Sequence, residues 1–207
     1  PGPIPSNVET ACRSCTMKEN ASGSEPLSRH AFRLDRSSLK AEFGEGMNVR
    51  YGRMIRERGL YGAALDLAAD PDPQVAFRAA WALEQAVSEA PQEFLPFSER
   101  ILAGIRHTTV PGVQRSFLKI VLLLIQKKLF LPAPEERNAL VTVAFDRLID
   151  PAAPVAVQAL SVRLLDRLSP LPEWAREEFG AILLRLSQSQ SPGLTNCSAK
   201  MLKKRKR

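Results

Sequence analysis

A short proline motif that leads into an aliphatic residue occurs four times along this chain. The four copies are Asp70-Pro71-Asp72-Pro73-Gln74-Val75, Val110-Pro111-Gly112-Val113, Asp150-Pro151-Ala152-Ala153-Pro154-Val155 and Ser191-Pro192-Gly193-Leu194. Their last residues, taken as equivalent, are 38, 42 and 39 residues apart. Periods of about 40 residues are typical of proteins built from repeated helix pairs. The repeat therefore favours a stack of similar units.

The residues that follow each motif repeat in character as well as in spacing. Apolar or small residues lie four positions on (Ala79, Phe117, Ala159, Ser198) and seven positions on (Ala82, Ile120, Val162, Met201). This spacing puts them on one face of a helix. Proline fits the first turn of a helix, where its missing N–H would have no partner, and aspartate there accepts backbone hydrogen bonds. Each motif therefore predicts the start of a helix with one buried stripe.

Further helical periodicity fills the chain after Gly59. Apolar residues recur every three or four positions in segments 60–69, 74–89, 92–106, 112–129, 134–149, 154–168, 173–188 and 193–204. The linkers between segments are short, so neighbouring helices fold back on each other. We therefore predict an all-α, HEAT-like helical-repeat fold, an α-α superhelix of about four antiparallel helix pairs. Its last helix is apolar on one side only, as the open end of a stack requires.

The two ends of the chain differ from this repeated part. Residues 1–36 mix polar residues with proline and glycine and predict a disordered tail, and whether this tail is native stays open. Residues 37–199 are the predicted repeat domain, although Gly44, Gly46 and Gly52 weaken the helical pattern near its start. Residues 200–207 predict a basic tail with six Lys and Arg. Residues 56–190 hold 15 basic and 16 acidic groups, so the net charge of +7 lies outside the repeats.

Few cysteines and short apolar runs suggest the compartment. The chain has three cysteines, too few for the disulfide framework of a secreted protein. Its longest apolar run, residues 120–125, is far shorter than a membrane span. We therefore expect a cytoplasmic protein without membrane insertion.

The repeated units resemble HEAT repeats through the Asp-Pro-x-Pro-x-Val start at residues 70–75. More closely, the chain resembles a small HEAT-like family from Bacteroidetes over about residues 60–203. The matching stretches are 65–68, 75–84 (Val-Ala-Phe-Arg-Ala-Ala-Trp-Ala-Leu-Glu), 94–97 with Ile101, 112–120 and 145–157. Some members of that family are named adenylosuccinate lyase, which implies lyase activity. Lyases of that superfamily use a serine-rich loop containing Met-Pro-Lys-Asn, and this sequence has no such loop.

Catalytic and metal-binding motifs are scarce. His30 falls in the predicted tail and His107 in a turn between helices, where exposure or capping is the expected role. Cys12 and Cys15 have a zinc-like spacing, but no second ligand pair follows them. No phosphate-binding glycine loop or nucleophile elbow is present. We therefore expect a protein that is not an enzyme and that uses neither cofactor nor metal.

The second helix of each pair lines the concave groove of such a stack. Candidate binding residues on these helices, outside the buried stripe, are Arg78, Trp81, Arg115, Lys119, Gln158 and Arg163. The predicted basic tail adds Lys203, Lys204, Arg205, Lys206 and Arg207. Our leading hypothesis is a non-catalytic scaffold that holds a protein or peptide in this groove. The alternative is a nucleic-acid binder resembling HEAT-like DNA glycosylases, and a more distant one is the lyase; the oligomeric state stays open.

Overall fold

The structure, a computed structural model, describes residues 33–42 and 44–205. Within these ranges all regular structure is helical, with ten α-helices and one 3₁₀ segment, Pro91–Phe97. The α-helices are α1 (Arg36–Ala41), α2 (Met47–Glu57), α3 (Tyr61–Ala68), α4 (Pro73–Glu89), α5 (Ser98–His107), α6 (Pro111–Gln126), α7 (Pro134–Ile149), α8 (Val155–Arg167), α9 (Glu173–Ser187) and α10 (Pro192–Arg205). None of these helices is long and apolar enough to cross a membrane.

The helices from α3 onward form four consecutive pairs. In each pair (α3 with α4, α5 with α6, α7 with α8, α9 with α10) the two helices contact each other. The second helices also pack in series, because α4 contacts α6, α6 contacts α8 and α8 contacts α10. One continuous core runs between the two layers. The predicted all-α repeat of four helix pairs is confirmed.

Proline and aspartate start these helices as the sequence predicts. Proline is the first residue of four helices: α4, α6, α7 and α10. Asp72 is the N-cap of α4, and its carboxylate accepts a hydrogen bond of 3.0 Å from the backbone N–H of Gln74. Such caps satisfy donors that have no partner within the helix.

The register of the third repeat differs from the sequence prediction. Val155 is 45% exposed, so its assignment to the buried stripe is wrong. Pro154 precedes α8 as its N-cap, whereas the prolines of α4, α6 and α10 lie inside the first turn. The third residue of α8 is therefore Val157, which is buried. The equivalent third residues of the four second helices are Val75, Val113, Val157 and Leu194, and all are buried.

Two short helices precede the first pair. α1 and α2 lie where glycines weaken the sequence pattern, and both pack against α4. Gly46 ends the turn between them with a φ of +74°, a conformation that glycine adopts without strain. At Gly52 a Cβ atom would lie 2.9 Å from Cβ of Gln85, so the missing side chain lets α2 approach α4 closely. Residues 1–32, the greater part of the predicted tail, lie outside the described residues. At the end of that predicted tail Asp35 is the N-cap of α1 and Arg36 is its first residue.

The C-terminal end differs from the predicted basic tail. α10 continues through Lys200, Lys203 and Lys204 to Arg205, so these residues belong to the last helix, as the predicted segment 193–204 indicates. Lys204 Nζ lies 2.9 Å from both carboxylate oxygens of Asp166 on α8, which ties this part of α10 to the repeat before it. Lys206 and Arg207 lie outside the described residues.

Candidate binding surface

Four residues occupy the same position on the four second helices. Counted six places from the third residue of each helix, they are Trp81, Lys119, Arg163 and Lys200. Six places correspond to about 240° around a helix, so these side chains point away from the buried stripe. Trp81 is half-buried and the three basic residues are exposed. We call these four residues the central row, and the solvent side of α4, α6, α8 and α10 the second-helix face.

An aromatic pair begins the central row. The rings of Phe77 and Trp81 are stacked on α4, with centroids 5.8 Å apart and planes 9° from parallel. The neighbouring helix α6 starts beside Phe77, where Gly112 leaves room for the ring. Trp81 therefore packs against the edge of the core and also contributes to the second-helix face.

Glu84 joins α4 to α6 on this face. Its side chain is 13% exposed and accepts a hydrogen bond of 2.8 Å from the hydroxyl of Ser116. It also forms ion pairs with Lys119 and, at 3.4 Å, with Arg115. Lys119 and Arg115 are therefore partly neutralised by one carboxylate.

The contact between α8 and α10 repeats this arrangement, but the contact between α6 and α8 does not. Asp166 lies on α8 at the position of Glu84 on α4, nine places after the third residue, and pairs with Lys204 on the following helix. The equivalent residue of α6 is Leu122, which carries no charge. Across this contact lies Arg163, which forms no ion pair or hydrogen bond with any described residue.

A cavity of about 260 Å³ opens on the second-helix face beside Arg163. It is lined by Glu84, Ser88, Lys119, Ile120, Leu122, Leu123, Gln126, Leu160 and Arg163. Ile120, Leu122 and Leu160 are buried and form an apolar floor, while Gln126 and the two cations are exposed. The cavity therefore combines an apolar floor with Arg163 and with the ion pair of Lys119 and Glu84.

Two residues predicted to bind a ligand have other surroundings. Arg78 is only 5% exposed, and its Nη1 donates hydrogen bonds to the backbone carbonyls of Leu39 at 2.6 Å and Lys40 at 3.0 Å. The prediction that Arg78 lines the groove is wrong, because its guanidinium faces the last turn of α1. Gln158 is half-buried and donates a hydrogen bond of 3.1 Å to the carbonyl of Asp150, beside the turn before α8.

A second buried arginine has a comparable role between two first helices. Arg147 on α7 donates a hydrogen bond to the carbonyl of Ile105 in the last turn of α5. Burial lowers the pKa of the Arg147 guanidinium to about 10. Carbonyls at helix ends lack partners within their own helix, so both arginines stabilise helix termini.

The candidates for catalysis are not brought together among the described residues. His107 is exposed at the end of α5 and lines a cavity of about 550 Å³ with Asp66, Asp70 and Arg100. Arg100 donates to Asp66 at 2.5 Å, and Asp70 pairs with Arg36 at 3.4 Å. Within residues 33–42 and 44–205 no three metal-binding side chains cluster. Cys12, Cys15 and His30 lie outside these residues.

Paired antiparallel helices, stacked through their second helices, define the class of helical-repeat proteins. A family model described as HEAT repeat domain matches residues 53–205. The chain therefore belongs to the HEAT repeat family. Comparison with curated proteins and with solved structures gave no significant match.

Part of the second-helix face was not foreseen from the sequence. The sequence predicts a tail at Lys200, but Lys200 lies six places after Leu194, the position that Arg163 has after Val157. Glu84 and the apolar floor beside Arg163 carry no motif, because they depend on which side chains meet across two helices. Trp81, Lys119 and Arg163 follow from helical spacing alone.

Proposed function

We propose that this protein is a non-catalytic scaffold that binds a segment of another protein along its second-helix face. The observation that carries the proposal is the central row, with Lys119, Arg163 and Lys200 at one position on the second helices of three successive pairs. Stacked repeats place equivalent residues in a line, which a linear ligand can follow. The HEAT repeat family, whose members typically bind proteins, supports this proposal.

The charges of this face favour an acidic segment. Arg163, Arg167 and Lys200 are exposed and form no ion pair with any residue in the described part of the chain. Glu84 and Asp166, in contrast, already pair with lysines. Complementary charge guides a partner to its site and fixes its orientation. An acidic peptide is therefore the ligand class that this face fits.

Selection from random peptides tests the proposal. Twelve-residue peptides displayed on phage are selected on the immobilised full chain, and enriched sequences are counted. We expect acidic sequences to be enriched, and we expect a variant with Lys119, Arg163 and Lys200 changed to Gln to lose them. A variant with Arg106, Lys127 and Arg185 changed to Gln removes the same charge from other exposed positions and is expected to retain them. Equal enrichment on both variants, or none on the unmodified chain, overturns the proposal.

A nucleic acid is the second candidate ligand, because the stacked pair Phe77 and Trp81 adjoins the basic residues. Aromatic side chains next to cations can stack on bases while the cations contact phosphates. Fluorescence anisotropy with labelled duplex and single-stranded DNA over a salt series tests this candidate. Binding that weakens steeply with salt and requires Lys119, Arg163 and Lys200 would support it.

A further inference from the structure

The contact between α6 and α8 lacks an acid that the two neighbouring contacts have. Glu84 on α4 pairs with Lys119 on α6, and Asp166 on α8 pairs with Lys204 on α10. In both cases a carboxylate on one helix meets a lysine on the next. Leu122 takes the place of the carboxylate on α6. Arg163 on α8 is therefore the cation without a counterpart.

The space beside Arg163 has the chemistry for one further group. The cavity of about 260 Å³ has an apolar floor, formed by Leu122, Leu160 and neighbouring side chains, and Arg163 at its edge. It is smaller than the 300–1,000 Å³ of sites that enclose a whole small ligand. It is instead suited to one or two side chains. An aliphatic side chain matches the floor, and a carboxylate matches the guanidinium.

We propose that this cavity is the specificity subsite of the second-helix face. It takes an aliphatic residue of a bound peptide that is followed or preceded by Asp or Glu. The peptide carboxylate pairs with Arg163 and supplies the acid that α6 does not provide. This inference rests on the proposed function, and it adds the residue pair that the face recognises. The apolar floor offers nothing to a phosphate backbone, so the occupant is a peptide.

Defined peptides test the subsite. Three labelled twelve-residue peptides are compared by fluorescence anisotropy with the full chain. The first holds Leu-Glu pairs separated by Gly-Ser, the second has Gln in place of Glu, and the third has Ser in place of Leu. We expect the first to bind at least about tenfold more tightly than either of the others, the ratio that about 1.4 kcal/mol gives.

Two substitutions and one control test whether the cavity beside Arg163 determines the affinity for the Leu-Glu peptide. Arg163→Gln is expected to weaken the Leu-Glu peptide about tenfold, because it leaves the peptide carboxylate without its charged hydrogen-bond donor. Arg185→Gln removes the same charge from an exposed position of α9, outside the second-helix face, and is expected to change affinity less than about twofold. Leu122→Glu places a carboxylate at the position of Glu84 and is expected to weaken the peptide as Arg163→Gln does. Its thermal unfolding verifies that it folds.

The outcomes separate the two proposals. If the Leu-Glu peptide binds and Arg163→Gln weakens it no more than Arg185→Gln, the subsite is wrong and the scaffold proposal stands. If no peptide binds the unmodified chain, both proposals are wrong. If duplex DNA competes with the peptide and binds more tightly at physiological salt, the face is a nucleic-acid surface and the subsite is again wrong.

Discussion

The carboxylate of Glu84 on α4 accepts a hydrogen bond of 2.8 Å from the hydroxyl of Ser116 on α6. Ser116 is fully buried, so this hydroxyl has no access to water. The same carboxylate pairs with Lys119 and Arg115, which are more exposed. One side chain thus joins the first repeat to the second at the centre of the second-helix face.

Glu84→Ala should destabilise the fold by about 1–3 kcal/mol, because it leaves the buried Ser116 hydroxyl without its acceptor. The lost surface ion pairs add little to this cost. Urea unfolding followed by circular dichroism measures the change in the free energy of unfolding. Glu178→Ala, at an exposed position of α9, is the matched control and should change it by less than about 0.5 kcal/mol. Equal effects of the two substitutions would contradict the prediction.

Arg78→Met should release α1 from α4. The substitution removes the donor to the carbonyls of Leu39 and Lys40, and we expect a loss of about 2–3 kcal/mol in the free energy of unfolding. Trypsin should then cleave after Lys40 faster than in the unmodified chain. Arg53→Met, at an exposed position of α2, is the control. Unchanged cleavage in Arg78→Met would show that other contacts hold α1.

Substitution by alanine should have opposite effects on the stability of the fold at two glycines. A Cβ atom at Gly112 would lie 2.3 Å from Cδ2 of Phe77, so the ring must move and its stacking on Trp81 is disturbed. We expect Gly112→Ala to cost about 1–3 kcal/mol and to change the fluorescence of Trp81, measured with Trp174 replaced by Phe. Gly180 in α9 has no atom within 4 Å of such a Cβ. Gly180→Ala should therefore stabilise the fold by about 0.5–1 kcal/mol.

The two tyrosines should lose their phenolic protons at higher pH in the folded chain than in the unfolded chain. Burial and the neighbouring Glu42 carboxylate raise the pKa of Tyr51 to about 12, and burial with a hydrogen bond to Glu93 raises the pKa of Tyr61. The unfolded chain therefore loses phenolic protons near pH 10, while the folded chain keeps them. Because the folded state then binds more protons, the free energy of unfolding should fall between pH 10 and 12.

Phenolate absorbance gives the measurement for this titration, since the chain has two tyrosines. Native protein should titrate at higher pH than protein in denaturant. Tyr51→Phe should remove part of the difference, and it should also reduce the loss of stability between pH 10 and 12. Coincident titration curves in the two states would show that both phenols are accessible to solvent.

The sequence predicts most of this fold because helix starts and apolar periodicity depend on residues that are close together in the chain. The predicted segment 134–149 coincides with α7, and segment 74–89 differs from α4 by one residue. The sequence wrongly places Val155 on the buried stripe because proline is accepted both before a helix and in its first turn. The sequence does not distinguish these two positions. The sequence wrongly places Arg78 in the groove because its guanidinium contacts carbonyls of α1, which is distant in the chain. Helical spacing does not reveal such a contact.

Members of the central row are separated by the distance between neighbouring helices. Packed helices lie about 8–10 Å apart. A peptide in the polyproline II conformation rises about 3.1 Å per residue and presents every third side chain on the same side, about 9.3 Å apart. A ligand in that conformation would place residues three apart in its sequence opposite Lys119, Arg163 and Lys200. Each added or deleted repeat would then change the recognised motif by three residues.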